Sequence, residues 1–476
     1  MKKTLKRMLC GILCLACIPV GGMMFSSCSS AKVVQIYTVE DFLQYAGSSE
    51  TKQEGATNIV SYGSIKLMAD LDFTDVEYHP IQLKMDFDGN GYSLNNITIN
   101  EYEETSGIGV FSVNKYDHSD AGEHFSKIEN LTINNLTINY TGSKTPVGGL
   151  LGTYKGSGYF FEGGGLFSTG YMESQEISIE NVKVNGKINA PQTDYVGGLI
   201  GKAREGYVKN CEVNVEINGG NYTGGIIGGI DGNKYPTNIE DCVNKGSIRG
   251  KASVGGIAGD RMNILNCTNT GDVTGEINVG GIVGYTQYSI KNCINEGKVE
   301  GIAYGENEYA DIGGIAGCAE CYTWDTYKGH HSNEAMITDC TNKGEVISSY
   351  DRVGGIAGYS SQEISGCSNE ATVQGRDVVG GIIGWWSSKG SVSKCKNSGD
   401  VTGAVDIGGL VGGISTTEVV QFMNSHNSGK VTANNRAGGL VGGSFATLDE
   451  DLLPTCSNTG ELVCGGTKND IYNKVG

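Results

Sequence analysis

The sequence predicts an all-β protein whose chain winds into a β-solenoid of about ten coils. A G-G-hydrophobic-hydrophobic-G motif recurs ten times, mostly at intervals of 25 to 33 residues. The apolar runs between its copies are short and rich in β-branched side chains, and each unit carries several glycines, which cost about 1 kcal/mol each within a helix. Short strands stacked ~4.8 Å apart satisfy one another's backbone groups from coil to coil. Strand and crossover chirality favour a right-handed β-helix.

Residues 1–27 have the pattern of a leader peptide. Four basic residues precede an apolar run from Met8 to Phe25, and small residues precede Cys28. This pattern is typical of a secretion signal rather than a membrane span. It resembles a bacterial lipoprotein signal, which implies cleavage before Cys28 and acylation of its thiol. No aspartate follows Cys28, so the resemblance implies an outer-membrane lipoprotein that is exposed at the surface or faces the periplasm.

The charge of the chain argues against two classes of partner. The 35 basic and 53 acidic residues give a net charge of −18, and removing the four basic residues of the leader leaves about −22. Nucleic acids and anionic membrane surfaces both require basic patches, so we expect neither as a partner. We also predict no cofactor.

Residues 28–145 are predicted to cap the solenoid and to form its first coils. Thr38 and Asp41 are spaced as a capping box, which predicts a short helix from Val39 to Ala46 over the open edge of the first coil. The stretch Asp86–Gly91 resembles half of a calcium-binding loop. The twelfth position of such a loop is Ile97, which cannot ligate calcium, so we predict a tight turn there.

Residues 146–476 contain the repeats, with insertions near residues 153–175 and 318–336. Each unit also carries a Cys-x-Asn element, and Ser425 replaces the cysteine in one unit. Serine matches the size of cysteine but not its metal-binding chemistry, and no histidine recurs beside it, so a buried structural ladder is favoured over a metal or disulfide ladder. The predicted ladder consists of Cys211, Cys242, Cys267, Cys293, Cys340, Cys367, Cys395 and Cys456. The asparagine two places later is predicted to form an amide ladder or a turn.

These repeats, together with the turn Phe87–Tyr92, resemble the GLUG-motif family of bacterial surface and secreted proteins. The resemblance covers roughly Ile65 to the C-terminus. It implies the solenoid architecture. It does not specify one function, because such repeats occur in adhesins, large surface proteins and protease-associated regions.

Aromatic side chains in three places are candidate ligand contacts. They could stack on sugars or anchor a partner protein, or they could pack on the solenoid, and the sequence leaves both alternatives open. Adjacent strand residues face opposite ways, so one side chain of the last pair is expected to be exposed. The candidates are Tyr159, Phe160, Phe161, Trp324, Tyr327, Trp385 and Trp386.

A weak metal candidate lies in the second insertion. Cys318 and Cys321 form a C-x-x-C pair that is followed by His330 and His331, and such residues can bind zinc. A single pair of this kind is a weak signal in a secreted protein. A local disulfide or ordinary insertion residues are the favoured alternatives, and we expect no metal.

The sequence predicts a non-catalytic, lipid-anchored protein that acts as an adhesin-like binding or scaffolding rod. Its expected partners are the outer membrane, through Cys28, and a glycan or a host or cell-surface protein. No catalytic motif recurs along the chain. The alternatives are a carbohydrate-active, polysaccharide lyase-like β-helix enzyme and a structural part of a larger cell-surface assembly.

Overall fold

The described part of the chain is a β-solenoid built almost entirely from parallel strands. The computed structural model describes residues 32–47, 62–100, 107–112, 126–153, 177–230, 236–302, 309–320, 337–387, 391–416, 421–444 and 455–468. The strands fall into three parallel sheets, which we number as faces in the order in which the chain visits them. The predicted all-β solenoid is thereby confirmed.

One coil illustrates the path of the chain. It passes along face 1 at Asn263–Leu265 and then makes three short strands of face 2, Thr268–Asn269, Val273–Gly275 and Ile277–Gly280. It crosses to face 3 at Val283–Thr286 and returns to face 1 one rung further along. Each strand therefore pairs with its equivalent in the next coil.

The strands of each face are short. Face 1 has thirteen strands, namely Lys32–Ile36, Tyr62–Leu67, Asp86–Asp88, Lys127–Glu129, Ser178–Glu180, Tyr207–Lys209, Asn238–Glu240, Asn263–Leu265, Ile290–Lys291, Ile337–Thr338, Ile364–Ser365, Ser391–Ser393 and Gln421–Met423. Face 3 has twelve, namely Ile81–Gln82, Phe111–Ser112, Leu151–Thr153, Ile200–Ala203, Ile227–Ile230, Ala258–Asp260, Val283–Thr286, Ala316–Ala319, Ala357–Ser360, Ile383–Trp386, Val411–Ile414 and Val441–Ser444.

Face 2 carries up to three strands in each coil. Its strands are Leu71–Asp72, Ser93–Asn95, Thr98–Asn100, Thr132–Asn139, Val147–Gly148, Lys183–Asn189, Val196–Gly197, Glu212–Asn218, Thr223–Gly224, Val243–Asn244, Ile248–Arg249, Ala252–Gly255, Thr268–Asn269, Val273–Gly275, Ile277–Gly280, Ile294–Asn295, Val299–Gly301, Tyr309–Gly313, Thr341–Asn342, Val346–Ser348, Asp351–Gly354, Ser368–Asn369, Val373–Gln374, Asp377–Gly380, Lys396–Asn397, Val401–Gly408, His426–Asn427, Val431–Gly438, Ser457–Asn458, Leu462–Cys464 and Thr467–Lys468.

The solenoid has more rungs than the ten that the glycine motif predicts. Face 1 contains thirteen strands in one continuous order, which corresponds to a length of about 60 Å at the usual strand spacing. The additional rungs lie near the N-terminus, where Lys32–Ile36 pairs with Tyr62–Leu67 and that strand pairs with Asp86–Asp88. These coils lack the glycine motif, so counting its copies missed them.

A single helix covers the N-terminal end of the core in the described ranges. It runs from Val39 to Tyr45, and Thr38 and Asp41 make both hydrogen bonds of the predicted capping box. The ring of Phe42 is fully buried and lies 5.4 Å from the Phe73 ring and 6.1 Å from the Phe87 ring, centre to centre. The helix thus closes the first coils with aromatic packing.

The interior of each repeat coil is filled by small aliphatic side chains. Val279, Ile282, Ile290, Cys293 and Val299 belong to one uninterrupted coil, and all five are fully buried. Stacking the same side chain at the same place in every coil gives each one an identical neighbour above and below. A narrow core then needs only a few residues per rung.

The glycines of the motif are required by close backbone contacts. A Cβ on Gly313 would lie 2.0 Å from the carbonyl oxygen of Ala316. One on Gly314 would lie 2.2 Å from the carbonyl oxygen of Gly355 and 2.3 Å from Cγ of Asn342. A side chain at Gly313 would collide with the backbone of its own coil, and one at Gly314 would collide with the next coil. The glycine motif and the recurring asparagine are therefore two sides of one packing contact.

Candidate functional site

The eight recurring cysteines form one buried column at the corner between face 1 and face 2. All eight are buried free thiols. The Sγ of Cys340 donates to the carbonyl oxygen of Thr338 at 3.3 Å and accepts from the backbone N–H of Cys293 at 3.5 Å. Ser425 reproduces the pattern, because its Oγ donates to Met423 at 3.0 Å and accepts from the Cys395 N–H at 3.1 Å. The column is held by weak hydrogen bonds and by packing.

Burial opposes ionisation of these thiols, although hydrogen bonds with neighbouring thiols lower the pKa of Cys242 and Cys340 well below its ordinary value. All eight thiols are also buried away from solvent. Burial raises the pKa of the Cys395 thiol to about 12, and burial raises the pKa of Cys211 well above its ordinary value. A thiol is a nucleophile or a metal ligand only as the thiolate. The column therefore offers no ready site for chemistry.

The asparagines two positions later form a continuous amide ladder inside face 2. The Nδ2 of Asn295 donates to Oδ1 of Asn342 at 2.8 Å, and Asn342 donates in the same way to Asn369 at 2.8 Å. Each amide also donates to the backbone carbonyl two residues ahead, as Asn342 does to Gly344 at 2.8 Å. The other members are Asn244, Asn269, Asn397, Asn427 and Asn458. Both ends of each buried amide are thereby engaged.

The two long insertions of the repeat region lie at one edge of the solenoid. Six segments outside the described residues start after a strand of face 3 and end before the next strand of face 1. They are residues 113–125, 154–176, 231–235, 321–336, 388–390 and 417–420. We call this edge the insertion edge. Both insertions predicted from the sequence start there.

Many of the predicted site residues lie outside the described residues. They are Cys28, Tyr159, Phe160, Phe161, Cys321, Trp324, Tyr327, His330 and His331. Cys318 is described, and its buried thiol lies on face 3 between Tyr285 and Tyr359 of the neighbouring rungs. Burial raises the pKa of this thiol far above its ordinary value.

The two adjacent tryptophans have different environments. Trp386 is fully buried and meets the Phe422 ring edge-on at 5.7 Å between centres. We therefore withdraw Trp386 as a ligand-binding candidate, because its ring fills the core between face 3 and face 1. Trp385 is partly exposed, and the guanidinium carbon of Arg352 lies 5.6 Å from the centre of its ring.

Trp385 belongs to a column of side chains on face 3 that the sequence did not reveal. In eight of the ten repeats the residue immediately before the glycine motif adopts a left-handed backbone, with φ of 63° at Tyr195, 62° at Arg352 and 61° at Asp406. Contacts such as that of Arg352 with Trp385 join these residues to the strand residues of face 3. We call the combined set the face-3 stripe: Tyr195, Lys202, Tyr222, Asp260, Tyr285, Asp311, Cys318, Arg352, Tyr359, Trp385 and Asp406.

Two carboxyl groups of the face-3 stripe have raised pKa values. Burial raises the pKa of Asp260 to about 6 against the opposing charge of Arg261, whose Nε lies 3.0 Å from Oδ1. Burial likewise raises the pKa of Asp311 to about 6, although Nη1 of Arg352 lies 3.5 Å from its Oδ1. Carboxyls of this kind titrate near neutral pH and mark the stripe as a candidate functional surface.

A concave region with a volume of about 690 Å³ lies on face 2. It forms where the long strand Glu212–Asn218 pairs with two shorter strands, Val243–Asn244 and Ile248–Arg249. Its charged lining is already paired, because Lys245 bonds Glu212 at 2.9 Å and Glu216 bonds Lys187 at 2.9 Å. The groove thus follows from the break in the strand and is the weaker candidate.

Within the described ranges, no group of three His, Cys, Asp or Glu side chains is placed to hold a metal ion. In the same part of the chain, no helix is both long enough and apolar enough to span a bilayer.

Comparison with known proteins identifies the repeat. Residues 275–300 match the model of the GLUG motif, which confirms the resemblance found in the sequence. No curated protein matches the chain. A solved structure from Bacteroides ovatus, described as that of "a putative immunoglobulin A1 protease", is 18% identical and covers 57% of this chain and 79% of its own, with a TM-score of 0.39. A likeness of that size carries no argument about function. The chain is a β-helix repeat protein that carries the GLUG motif.

Proposed function

We propose that the chain is a non-catalytic, adhesin-like binding or scaffolding protein at the bacterial cell surface, anchored through a lipid on Cys28. The main support is the insertion edge, where the two long insertions of the repeat region stand in the sequence between a strand of face 3 and the next strand of face 1. A stacked solenoid tolerates loops wherever they do not interrupt its strands, and surface loops on a rigid scaffold commonly carry binding function. The solenoid supplies rigidity and reach, and the insertion edge and face 3 supply the contacts.

Protease treatment of intact cells tests the location. A surface protein should be cut within residues 154–176 and 321–336, while the solenoid on either side survives because its strands are hydrogen-bonded on both sides. Cells opened before treatment serve as the control for cleavability. Complete protection of the protein in intact cells, with cleavage after opening, would contradict a surface role. Co-purification of fixed stoichiometric partners would instead favour a part of a larger assembly.

The anchor has its own test. The leader with Cys28 supports lipidation, so Cys28→Ser should move the protein from the membrane fraction to the soluble fraction. The matched control is Ser29→Ala, which leaves the thiol in place. Retention of Cys28→Ser in the membrane fraction would contradict a lipid anchor.

A carbohydrate-active enzyme is the second candidate, and one observation favours it. Asp260 and Asp311 both belong to the face-3 stripe and both have pKa values raised to about 6. Carboxyls with raised pKa serve as general acids in glycoside hydrolysis. Release of reducing ends or unsaturated sugars from a polysaccharide, abolished by Asp260→Asn, would establish this alternative.

A further inference from the structure

The left-handed residues of the face-3 stripe include side chains that disfavour that conformation. Left-handed backbone is common for glycine and tolerated by asparagine and aspartate, but it costs free energy for larger side chains. It is nevertheless adopted by Tyr195, Tyr222 and Arg352 of the stripe, and by the β-branched Val378 beside it, with φ between 55° and 63°. Strain of this kind persists where the surrounding structure enforces it, and it often marks functional surfaces.

Glycines on face 3 make room for two aromatic rings. A Cβ on Gly413 would lie 2.6 Å from the Trp385 ring, and one on Gly229 would lie 2.9 Å from the Tyr195 ring. Each ring therefore lies closely across a glycine of the next rung. Tyr195 also stacks on Tyr222, with centres 4.7 Å apart and planes within 12°. The rings of Tyr195, Tyr222 and Trp385 are therefore partly exposed while neighbouring residues hold them in place.

Polar groups alternate with these rings. The hydroxyl of Tyr285 donates to Glu320 at 2.9 Å and accepts from Gln287 at 2.8 Å. The hydroxyl of Tyr359 is 2.6 Å from the Ser387 hydroxyl. Tyr285, Cys318, Tyr359 and Trp385 occupy equivalent positions on four successive rungs, so three of these four rungs present an aromatic ring. Rings next to hydrogen-bonding groups are the chemistry that recognises sugars, which have apolar faces and hydroxyl rims.

A cavity of about 300 Å³ adjoins Trp385. Val378 and Val405 supply its apolar wall, and Asp377 and Arg352 line its polar side. Asp377 accepts from the Val405 N–H at 2.9 Å and remains partly exposed. The cavity can receive one ring-sized group beside the indole.

Two other classes of partner fit this surface less well. Protein interfaces bury an apolar centre, whereas the large exposed hydrophobic residues of the described ranges lie outside the stripe, at Val33, Tyr37, Leu43, Tyr207 and Val463. An anionic polymer would be repelled by a chain of net charge −18. Arg352, a basic residue of the stripe, is paired with Asp311 at 3.5 Å.

We propose that the face-3 stripe binds a neutral polysaccharide chain that lies along the solenoid axis, with its strongest subsite at Trp385. This inference rests on the proposed binding function and names its ligand class. The rungs supply repeated contacts to a repeating polymer, so affinity accumulates along the chain even though each contact is weak.

The test is electrophoresis of the full-length protein in native gels that contain soluble glucomannan, xylan, mannan or β-glucan. At least one neutral polysaccharide should retard the wild-type protein, whereas alginate and polygalacturonate should not. The double variant Tyr359→Ala/Trp385→Ala should bind about tenfold more weakly or worse, because it loses two stacking contacts. The matched control Tyr207→Ala removes an exposed tyrosine of face 1 and should bind like the wild type.

Three results would overturn the proposal: no neutral polysaccharide retards the protein, only the anionic ones do, or the double variant binds as well as Tyr207→Ala. Circular dichroism of each variant shows that it is folded, and Trp385→Phe, which keeps a ring, should retain most of the binding. Surface exposure is measured separately on intact cells. A protein that is cleaved there but binds no glycan would refute this inference and leave the proposed function standing.

Discussion

The two ends of the solenoid fill their cores in different ways. In the first coils, aromatic side chains from non-equivalent positions pack against one another. The Phe87 ring lies 6.1 Å from the Phe42 ring and 5.0 Å from the Phe111 ring, centre to centre. In most of the repeat coils the same side chain is stacked from rung to rung, as in the cysteine column and the asparagine ladder. The strand pairing is parallel in both regions. The same parallel-strand backbone therefore accommodates either a core of interlocking aromatic side chains or a core of stacked equivalent side chains.

The two kinds of core should differ in how well they tolerate substitutions. A ladder residue has identical neighbours, so one substitution leaves two equal gaps, whereas a residue of the aromatic cap has unique neighbours. Each region should therefore fail in its own way, and the following changes separate the two.

The largest effect is expected from Gly314→Ala in a repeat coil. Its Cβ would lie 2.2 Å from a backbone oxygen of the next rung, so two coils would have to separate. We expect a loss above about 4 kcal/mol or failure to fold, seen as lost cooperativity in thermal unfolding. The control is Gly47→Ala beside the cap helix, whose nearest contact is an ordinary 3.4 Å. Equal melting temperatures for both variants would contradict the packing contact.

Phe87→Ala tests the aromatic core. The ring is 1% exposed and contacts two other phenylalanine rings. Deleting it should cost about 3–5 kcal/mol in chemical denaturation. Phe87→Leu should recover more than half of that loss because it refills most of the space. A loss below about 1 kcal/mol would mean that the cap does not depend on this cluster.

Asn342→Ala tests the ladder from its middle. It removes the acceptor of Asn295 and the donor to Asn369, and it leaves buried polar atoms short of partners. We expect a loss of about 2–3 kcal/mol. Asn458→Ala, at the last described rung, removes a single ladder bond and should cost about half as much. Identical losses at the two positions would argue against cooperation along the ladder.

The pH dependence should have opposite signs in the two regions. Burial raises the pKa of Asp311 in the folded protein from 3.8 to about 6. Between these two pH values the folded protein binds more protons at this group than the unfolded protein does. The contribution of Asp311 to the free energy of unfolding therefore decreases as the pH rises from about 4 to about 6. For Asp88 burial raises the pKa, but hydrogen bonds from Lys66 and Asn130 outweigh it and the pKa is lowered, so its stabilisation is lost on acidification. Melting temperatures are measured between pH 4 and 8. At neutral pH, Asp311→Asn should melt at a higher temperature than the wild type, and Asp88→Asn should melt at a lower temperature.

The smallest effect is expected from Cys340→Ser. Ser425 already occupies the equivalent position with the same two hydrogen bonds. The cost should be about 1 kcal/mol or less, measured by denaturation under reducing conditions. A large loss would show that the sulfur itself is needed, contrary to a role in packing alone.

The repeated features could be predicted from the sequence and the unique ones could not. The buried cysteines, the close glycines and the helix at Val39 follow from motifs that recur or from local capping chemistry. The burial of Trp386 depends on its meeting Phe422 from the next coil, and nothing local indicates that contact. The face-3 stripe arises only when coils of different length are brought into register, so its members look unrelated along the chain.

The central claim is that the ladder builds the solenoid and that face 3 does the binding. Measuring retardation of Cys340→Ser and Tyr359→Ala/Trp385→Ala side by side in the same polysaccharide gels tests it most directly. The account predicts wild-type retardation for the ladder variant and lost retardation for the stripe variant, with both proteins folded. Lost binding in Cys340→Ser together with normal binding in the stripe variant would contradict it.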